Sequence, residues 1–186
     1  MKRFLLILAV TLLCALTVAA QVKVENVGGQ VGFVYGSVTH GGVSYAPMGF
    51  GVAGFATLSL GKLVKGQPIT VRPEVSLLMG SEEKNLVKQE RTAINVNVFG
   101  IYDIPMKGKL PIAPYVGVGG GLTMLSANVI LSGTEKSVTK INATVLGGGK
   151  YNINPKMAAG LELRYGLGSG FDALMVGATF TYSLAK

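Results

Sequence analysis

The sequence has few charged residues, a single cysteine and no tryptophan. Charged residues make up 14% of the chain, whereas ordinary soluble domains contain about 25%. The cysteine, Cys14, lies near the start, so the rest of the chain has no disulfide bond and no thiol chemistry. Beyond the start, no segment approaches about 18 consecutive apolar residues, which excludes a membrane-spanning helix there. Such a chain is too apolar for the surface of an ordinary soluble domain, so we expect it to enter a membrane by a structure other than a spanning helix.

The first residues have the composition of an export signal. Two basic residues precede the short apolar run Phe4–Leu16, and Val18-Ala19-Ala20 offers the small residues of a cleavage site. We therefore predict a signal peptide over residues 1–20 and one domain over residues 21–186.

After the signal, apolar residues occur mostly at every second position, which is the period of a β-strand. Met48, Phe50 and Val52 share one face, for example, and Gly49 and Gly51 lie on the other. Eight segments show this pattern, at residues 30–39, 48–60, 68–79, 92–104, 112–125, 140–152, 157–166 and 173–184. Such segments, separated by turn signals, are typical of strands that cross a bilayer as a closed barrel.

The period alone does not say which face points inward, and a soluble eight-stranded barrel of lipocalin type would place its apolar face inside. The polar faces here consist mainly of glycine, alanine, serine, threonine and asparagine, which make a poor water-facing surface. Small residues suit a narrow lumen that also holds a few long side chains. We therefore predict an all-β fold, an eight-stranded antiparallel up-and-down transmembrane β-barrel.

The connections are expected to alternate in length, with both termini in the periplasm and longer loops at the cell surface. The predicted periplasmic turns are residues 61–67, 105–110 and 153–156, and the predicted surface loops are residues 40–47, 80–91, 126–139 and 167–172. Tyr102, Tyr151 and Tyr182 close even-numbered strands, where a periplasmic aromatic girdle belongs. Gly147-Gly148-Gly149 interrupts the sixth strand and predicts a bulge or a sharp bend.

A set of charges falls on the lumen face. Arg72 and Glu74 point inward from the third predicted strand, Glu162 and Arg164 from the seventh, and Lys150 joins them from the sixth. The third and seventh strands of an eight-stranded barrel face each other, so opposite charges can pair near its axis, as buried charges require. Two interpretations stay open: a structural plug, or a latch in a narrow gated ion path.

Five basic residues lie near the predicted outer rim, where the phosphates of lipopolysaccharide would be. They are Lys84, Lys88, Arg91, Lys136 and Lys140. Acidic residues are interspersed among them, so a merely solvated rim is the simpler alternative.

Catalytic and metal-binding residues are scarce. His40 is the only histidine, and Ser81 with Glu82 in the next predicted loop offers a conceivable partner set for lipid A modification. One histidine with scattered carboxylates does not make a metal site, and no basic cluster with interleaved aromatic residues indicates nucleic acid. We expect no enzyme activity, no cofactor, no metal and no nucleic-acid partner.

The segment Pro114–Gly121 resembles the Pro-Tyr-x-Gly-x-Gly fifth strand of the small outer-membrane β-barrels of the OmpA-transmembrane-domain and OmpX/Ail type. Arg72-Pro73-Glu74, Tyr102-Asp103 and Leu161–Tyr165 add to the resemblance. The family usually ends on an aromatic residue read by the barrel-insertion machinery, whereas here Leu184-Ala185-Lys186 follow the last tyrosine.

The resemblance implies an integral outer-membrane protein that supports the membrane or makes contacts through its surface loops. Its partners would be outer-membrane lipids, lipopolysaccharide and, during biogenesis, the insertion machinery, and it would be a monomer. A narrow porin-like channel and, less favoured, a lipid A-modifying enzyme remain the alternatives.

Overall fold

The described part of the chain is almost entirely β-strand. In the computed structural model it comprises residues 23–40, 43–45, 48–59, 68–84, 87–106, 111–129, 134–167 and 172–184. The strands are β1 (Lys23–His40), β2 (Val43–Tyr45), β3 (Met48–Ser59), β4 (Ile69–Lys84), β5 (Val87–Asp103), β6 (Ile112–Val129), β7 (Thr134–Asn154), β8 (Met157–Leu167) and β9 (Asp172–Ser183). No helix formed by these residues is long and apolar enough to cross a membrane.

All strands except β2 close into a barrel. They pair antiparallel in the order β1-β3-β4-β5-β6-β7-β8-β9, and β9 pairs back onto β1. The short strand β2 pairs with the last residues of β1, as at His40↔Val43. Closure gives the backbone N–H and C=O groups of every strand a partner, which is what allows a sheet to stand in lipid. The predicted eight-stranded antiparallel up-and-down barrel is confirmed.

The alternation of the sequence becomes the two faces of the barrel wall. On β5, Asn95 and Asn97 are buried in the lumen, whereas Ile94 and Val98 are exposed on the outside. The outer wall is apolar and the lumen holds the small and polar residues, as expected where lipid surrounds the barrel. Two apolar clusters also lie in the lumen, one of Phe99, Ile101, Tyr115 and Leu146 and one of Val34, Ala173 and Met175.

Two of the predicted surface loops are strands instead. Residues 80–91 and 126–139 largely continue β4, β5, β6 and β7, which stay paired to one another almost to their connections. The last pairs are Lys84↔Val87, Gln89↔Val129 and Val129↔Thr134. The prediction of loops here was wrong because hydrophobic alternation marks strands that have one buried face. Residues 137–140 are exposed on both faces, and the antiparallel pairing continues there without such a pattern.

Smaller differences concern strand ends and register. The first predicted loop, residues 40–47, contains the end of β1 at His40 and the whole of β2. The glycines at 147–149 keep an unbroken register with both neighbouring strands, so the expected bulge is not there. The register shifts lie between Val24 and Asn26 and between Asn152 and Asn154. The last strand pairs with β1 through Ser183 despite the missing terminal aromatic residue.

The two ends of the barrel differ. The inner end carries both ends of the described chain, paired at Asn26↔Ser183, and the tight turn between β7 and β8 at Pro155-Lys156. At the outer end, β3 stops pairing with β4 at Met48↔Ser81, and β8 stops pairing with β7 at Ala143↔Leu167. Beyond these pairs β4, β5, β6 and β7 continue to pair with one another, and β1 with β2 forms a separate short hairpin. We call the outer ends of these four strands, residues 82–84, 87–91, 125–129 and 134–141, the projecting sheet.

Candidate functional site

Four charged side chains meet in the middle of the lumen. Arg72 and Glu74 lie on β4, and Glu162 and Arg164 lie on β8, directly across the barrel. Arg72 donates from Nη1 and Nη2 to the Glu162 carboxylate at 2.8 and 3.0 Å. Arg164 donates to both carboxylates, including Nη2 to Glu74 Oε2 at 2.9 Å. The structure thus brings the four predicted lumen charges together, and we call them the plug.

The plug is electrically neutral and shielded from solvent. Arg72 Nη2 also lies 3.6 Å from Glu74 Oε2, so every charge has two neighbours of opposite sign. Only 1% of Glu162 is exposed. Charges are tolerated in such surroundings only when they are paired and hydrogen-bonded. Removing one partner leaves the other charge buried and unpaired.

Aromatic side chains form the walls around the plug. Tyr115 donates its hydroxyl to Glu162 Oε2 at 2.7 Å. The guanidinium carbon of Arg72 lies 4.7 Å from the centre of the Phe55 ring and 5.3 Å from that of Phe99, within cation–π range. Phe99 is completely buried. The rings fill space between the charges and the barrel wall, so this layer is closely packed.

Room for these side chains comes from glycines on the lumen face of β6. A Cβ atom at Gly117 would lie 2.5 Å from Ile101 Cδ1, and one at Gly119 would lie 2.5 Å from Phe99 Cδ1. The inward side chains of β5 therefore lie over a strand that has none at these positions. This is the structural reason for the glycine repeat in the sequence of β6.

A cavity with a mixed polar and apolar lining lies between the plug and the outer end, and we call it the outer chamber. Its volume is about 50 Å³, and Arg164 borders it. A ladder of hydrogen bonds lines one side: Asn95 Nδ2 donates to Ser76 Oγ at 3.1 Å, and Thr123 Oγ1 to Asn95 Oδ1 at 2.7 Å. Asn142 Nδ2 continues it to Thr123 Oγ1 at 2.6 Å. The outer chamber thus has a polar ladder on one side, and the apolar side chains of Leu78, Ala173 and Met175 also border it.

A second cavity, of about 30 Å³, lies between the plug and the inner end, and we call it the inner chamber. Lys150 borders it and does not join the plug as predicted: its Nζ pairs with Asp103 Oδ1 at 2.7 Å and lies 5.0 Å from the Tyr115 ring centre. The physical reason is register. Gly148 is the β7 residue opposite Glu162, and Lys150 lies one inward position nearer the inner end.

The three predicted girdle tyrosines lie on the outer wall near the inner end. Tyr102, Tyr151 and Tyr182 are all exposed there, and each is cross-strand from an apolar residue. Their position suits an aromatic girdle at a membrane boundary. That this boundary is the periplasmic one stays a prediction, as does the signal peptide, because residues 1–22 lie outside the described residues.

The basic residues of the predicted outer rim all fall in the projecting sheet. Lys140 is exposed and Arg91 is half-buried, while the side chains of Lys84, Lys88 and Lys136 lie outside the described part of the structure. The structure thus places all five on one extension of the barrel. Whether they contact phosphate stays a prediction.

The described residues do not bring together the side chains of the alternative catalytic set, His40, Ser81 and Glu82. His40 ends β1, but its side chain and that of Glu82 lie outside the description, and Ser81 is exposed on β4. Within the described ranges, no group of three or more His, Cys, Asp or Glu is placed to hold a metal ion.

Sequence reasoning missed the groups that complete the lumen: Tyr115, Phe99 and the Ser76–Asn142 ladder. The sequence of β5 did contain an indication of these groups. Asn95, Asn97, Phe99 and Ile101 have the same parity on β5, so the inward face could have been followed past its polar residues.

An apolar outer wall around a polar, plugged lumen defines a small integral β-barrel of a membrane. A family model described as an outer membrane protein beta-barrel domain matches residues 6–183. The chain therefore belongs to this family of outer-membrane proteins.

Solved structures agree on the fold. Neisserial surface protein A (NspA) is 17% identical, with a TM-score of 0.59, covering 85% of this chain and 97% of that one. Ail, the attachment invasion locus protein of Yersinia pestis, solved with the heparin analogue sucrose octasulfate, is 15% identical, with a TM-score of 0.51, covering 86% and 100%. At such identities the likeness shows the fold alone. No curated protein sequence matches the chain.

Proposed function

We propose that this outer-membrane barrel is not an enzyme and acts through its projecting sheet, which contacts anionic groups at the cell surface. The observation that carries the proposal is the continued pairing of β4, β5, β6 and β7 beyond the last pairs with β3 and β8. A paired sheet holds its side chains in a fixed arrangement, which a disordered loop does not. The rest of the barrel then serves as its support.

The partner chemistry follows from the basic residues of this sheet. Lys84, Lys88, Arg91, Lys136 and Lys140 bring five positive charges to one extension, interspersed with the carboxylates of Glu82, Glu83, Glu90 and Glu135, so the proposed contact is with individual basic side chains and not with a uniformly positive sheet. Phosphates of lipopolysaccharide are the anions nearest to such a rim. That Ail was solved with a sulfated sugar supports testing the same ligand chemistry on this chain.

Binding of sucrose octasulfate to the full-length mature protein in detergent tests the proposal. The double variant Lys136→Gln/Lys140→Gln removes two charges from the projecting sheet. At about 1 kcal/mol per lysine near an anionic surface, it should weaken binding roughly thirtyfold. The matched control Lys23→Gln/Lys156→Gln removes two charges from the inner end and should leave binding unchanged. Equal losses in both variants, or no binding by the wild type, would refute the proposal.

A narrow gated channel is the second candidate, because a cavity lies on each side of the plug and polar side chains border both. Conduction would require the plug to open. Single-channel recordings of the wild type and of Glu74→Ala in planar bilayers test this, and silence in both excludes the channel.

A further inference from the structure

A groove lies on the outer wall of the barrel, at the outer end of β1, β3 and β9. Its volume is about 330 Å³ and its lining is almost entirely apolar. The outward side chains that border it form two cross-strand rows, Val176-Phe33-Phe50 and Leu174-Tyr35-Met48. Because all three strands are paired within the closed barrel, the groove is already formed before anything occupies it.

Two aromatic rings in contact with each other border this groove. Phe33 and Phe50 are directly cross-strand, and their ring centres lie 5.2 Å apart with an angle of 44° between the ring planes. Contact between the rings favours this arrangement, yet Phe33 is 69% exposed and Phe50 is 57% exposed. The pair therefore offers a preformed aromatic surface on which a flexible apolar chain can pack.

Tyr35 indicates the depth of the groove in the membrane. Leu174 is cross-strand from both Tyr35 and Tyr165, so two exposed tyrosines lie at this level of the outer wall. On β1, Tyr35 lies about eight residues, or roughly 27 Å along the strand, from Val27, which pairs with the girdle residue Tyr182. At the usual tilt of barrel strands this distance spans roughly 20 Å across the bilayer, close to the height of an apolar band. The groove therefore lies just inside the headgroup boundary at the outer end.

Lipid is the occupant that fits this groove. The groove is continuous with the apolar outer wall, and a barrel of this family stands in the outer membrane, where acyl chains cover that wall. A second copy of the chain would present another convex wall, which meets this one along a line and leaves the groove unfilled. At about 30 Å³ for a water-sized group, 330 Å³ holds roughly eleven such groups, which suits a single acyl chain.

We propose that this groove binds one ester-linked acyl chain of a lipid in the leaflet at the outer end, and that the Tyr35 hydroxyl donates a hydrogen bond to the ester carbonyl. A tyrosine at such a boundary keeps its ring in hydrocarbon and its hydroxyl among polar groups. The chain then lies along the wall below Tyr35 and packs against Phe33 and Phe50. This site does not involve the charges of the projecting sheet.

The hydrogen bond is what makes the site selective. Acyl chains are as apolar as the barrel wall, so the hydrophobic effect does not favour one lipid over another, and packing in the groove acts on any chain of suitable length. An ether-linked chain packs in the same way but has no carbonyl oxygen to accept a hydrogen bond from Tyr35. The proposal therefore predicts a preference for ester over ether lipids at this groove.

The chain has no tryptophan, so a single introduced tryptophan reports on its own surroundings. Phe50→Trp places this reporter in the groove and keeps an aromatic ring beside Phe33. The matched control Val118→Trp places it on the opposite wall, at an exposed position of β6. Each full-length mature variant is refolded into vesicles that mix diester phosphatidylcholine carrying brominated chains, which quench tryptophan, with the unbrominated diether analogue. The quenching at each lipid ratio gives the relative binding constant of ester over ether lipid at that tryptophan.

We expect Phe50→Trp to show an ester preference of about three- to tenfold, the contribution of one hydrogen bond, and Val118→Trp to show none. Adding Tyr35→Phe to Phe50→Trp removes only a hydroxyl and should abolish the preference. Equal constants at the two positions, or a preference that survives Tyr35→Phe, would overturn the proposal. A tryptophan in the groove that brominated lipid does not quench would also overturn it, because protein, such as a second copy of the chain, would then cover the groove.

Discussion

The middle of the barrel and the projecting sheet are built from the same strands but meet different surroundings. In the middle, β4 and β5 face lipid on one side and the plug on the other, and Glu162 across the lumen is 1% exposed. In the projecting sheet, neighbouring residues such as Ser137 and Val138 are both exposed, although they point to opposite faces. Strand pairing alone therefore does not determine whether a side chain is buried. Closure of the barrel does, because only a closed wall has a lumen face.

The largest expected effect comes from breaking the plug. Glu162→Ala removes a carboxylate that accepts hydrogen bonds from Arg72, Arg164 and Tyr115. Both arginines then remain buried with fewer partners, and we expect a loss of about 3–5 kcal/mol in the free energy of unfolding. Urea unfolding of the refolded protein in detergent micelles measures it.

The matched change in the projecting sheet is Ser137→Ala, which should alter stability by less than about 0.5 kcal/mol. If Glu162→Ala lowered the free energy of unfolding as little as this control, the plug would fill the lumen without stabilising the barrel. The two regions would then not differ in their contribution to stability.

The fold was largely predictable, because lipid outside and a polar lumen inside impose a period of two on every strand of the closed wall. The opposition of Arg72 and Glu162 followed from counting strands around the barrel. Two features did not follow. In the projecting sheet, residues 137–140 are exposed on both faces, so no hydrophobic period marks them as a strand. The partner of Lys150 depends on a register offset between strands, which side-chain pattern does not encode.

The second test compares the lipid-facing wall with the projecting sheet through a single charge. Val98 is exposed on the outer wall near the middle of β5. Val98→Arg places a cation in hydrocarbon and should cost about 2–4 kcal/mol in lipid vesicles. Ser137→Arg makes a comparable change in the projecting sheet and should cost less than about 0.5 kcal/mol. Comparable losses at both sites would mean that the sheet also lies within the bilayer.

The smallest effect concerns how tightly the lumen is filled. A Cβ at Gly119 would lie 2.5 Å from Phe99 Cδ1 and 2.8 Å from Phe99 Cα, so Gly119→Ala must displace the wall of the plug. We expect a loss of about 1–3 kcal/mol. At Gly54, on the outer wall, a Cβ would meet no described atom within 4 Å, and Gly54→Ala should leave stability unchanged or raise it by about 0.5 kcal/mol. Urea unfolding in micelles measures both variants. A tolerated Gly119→Ala would show that the lumen around Phe99 relaxes, and that the middle of the barrel is held by its ion pairs rather than by close packing.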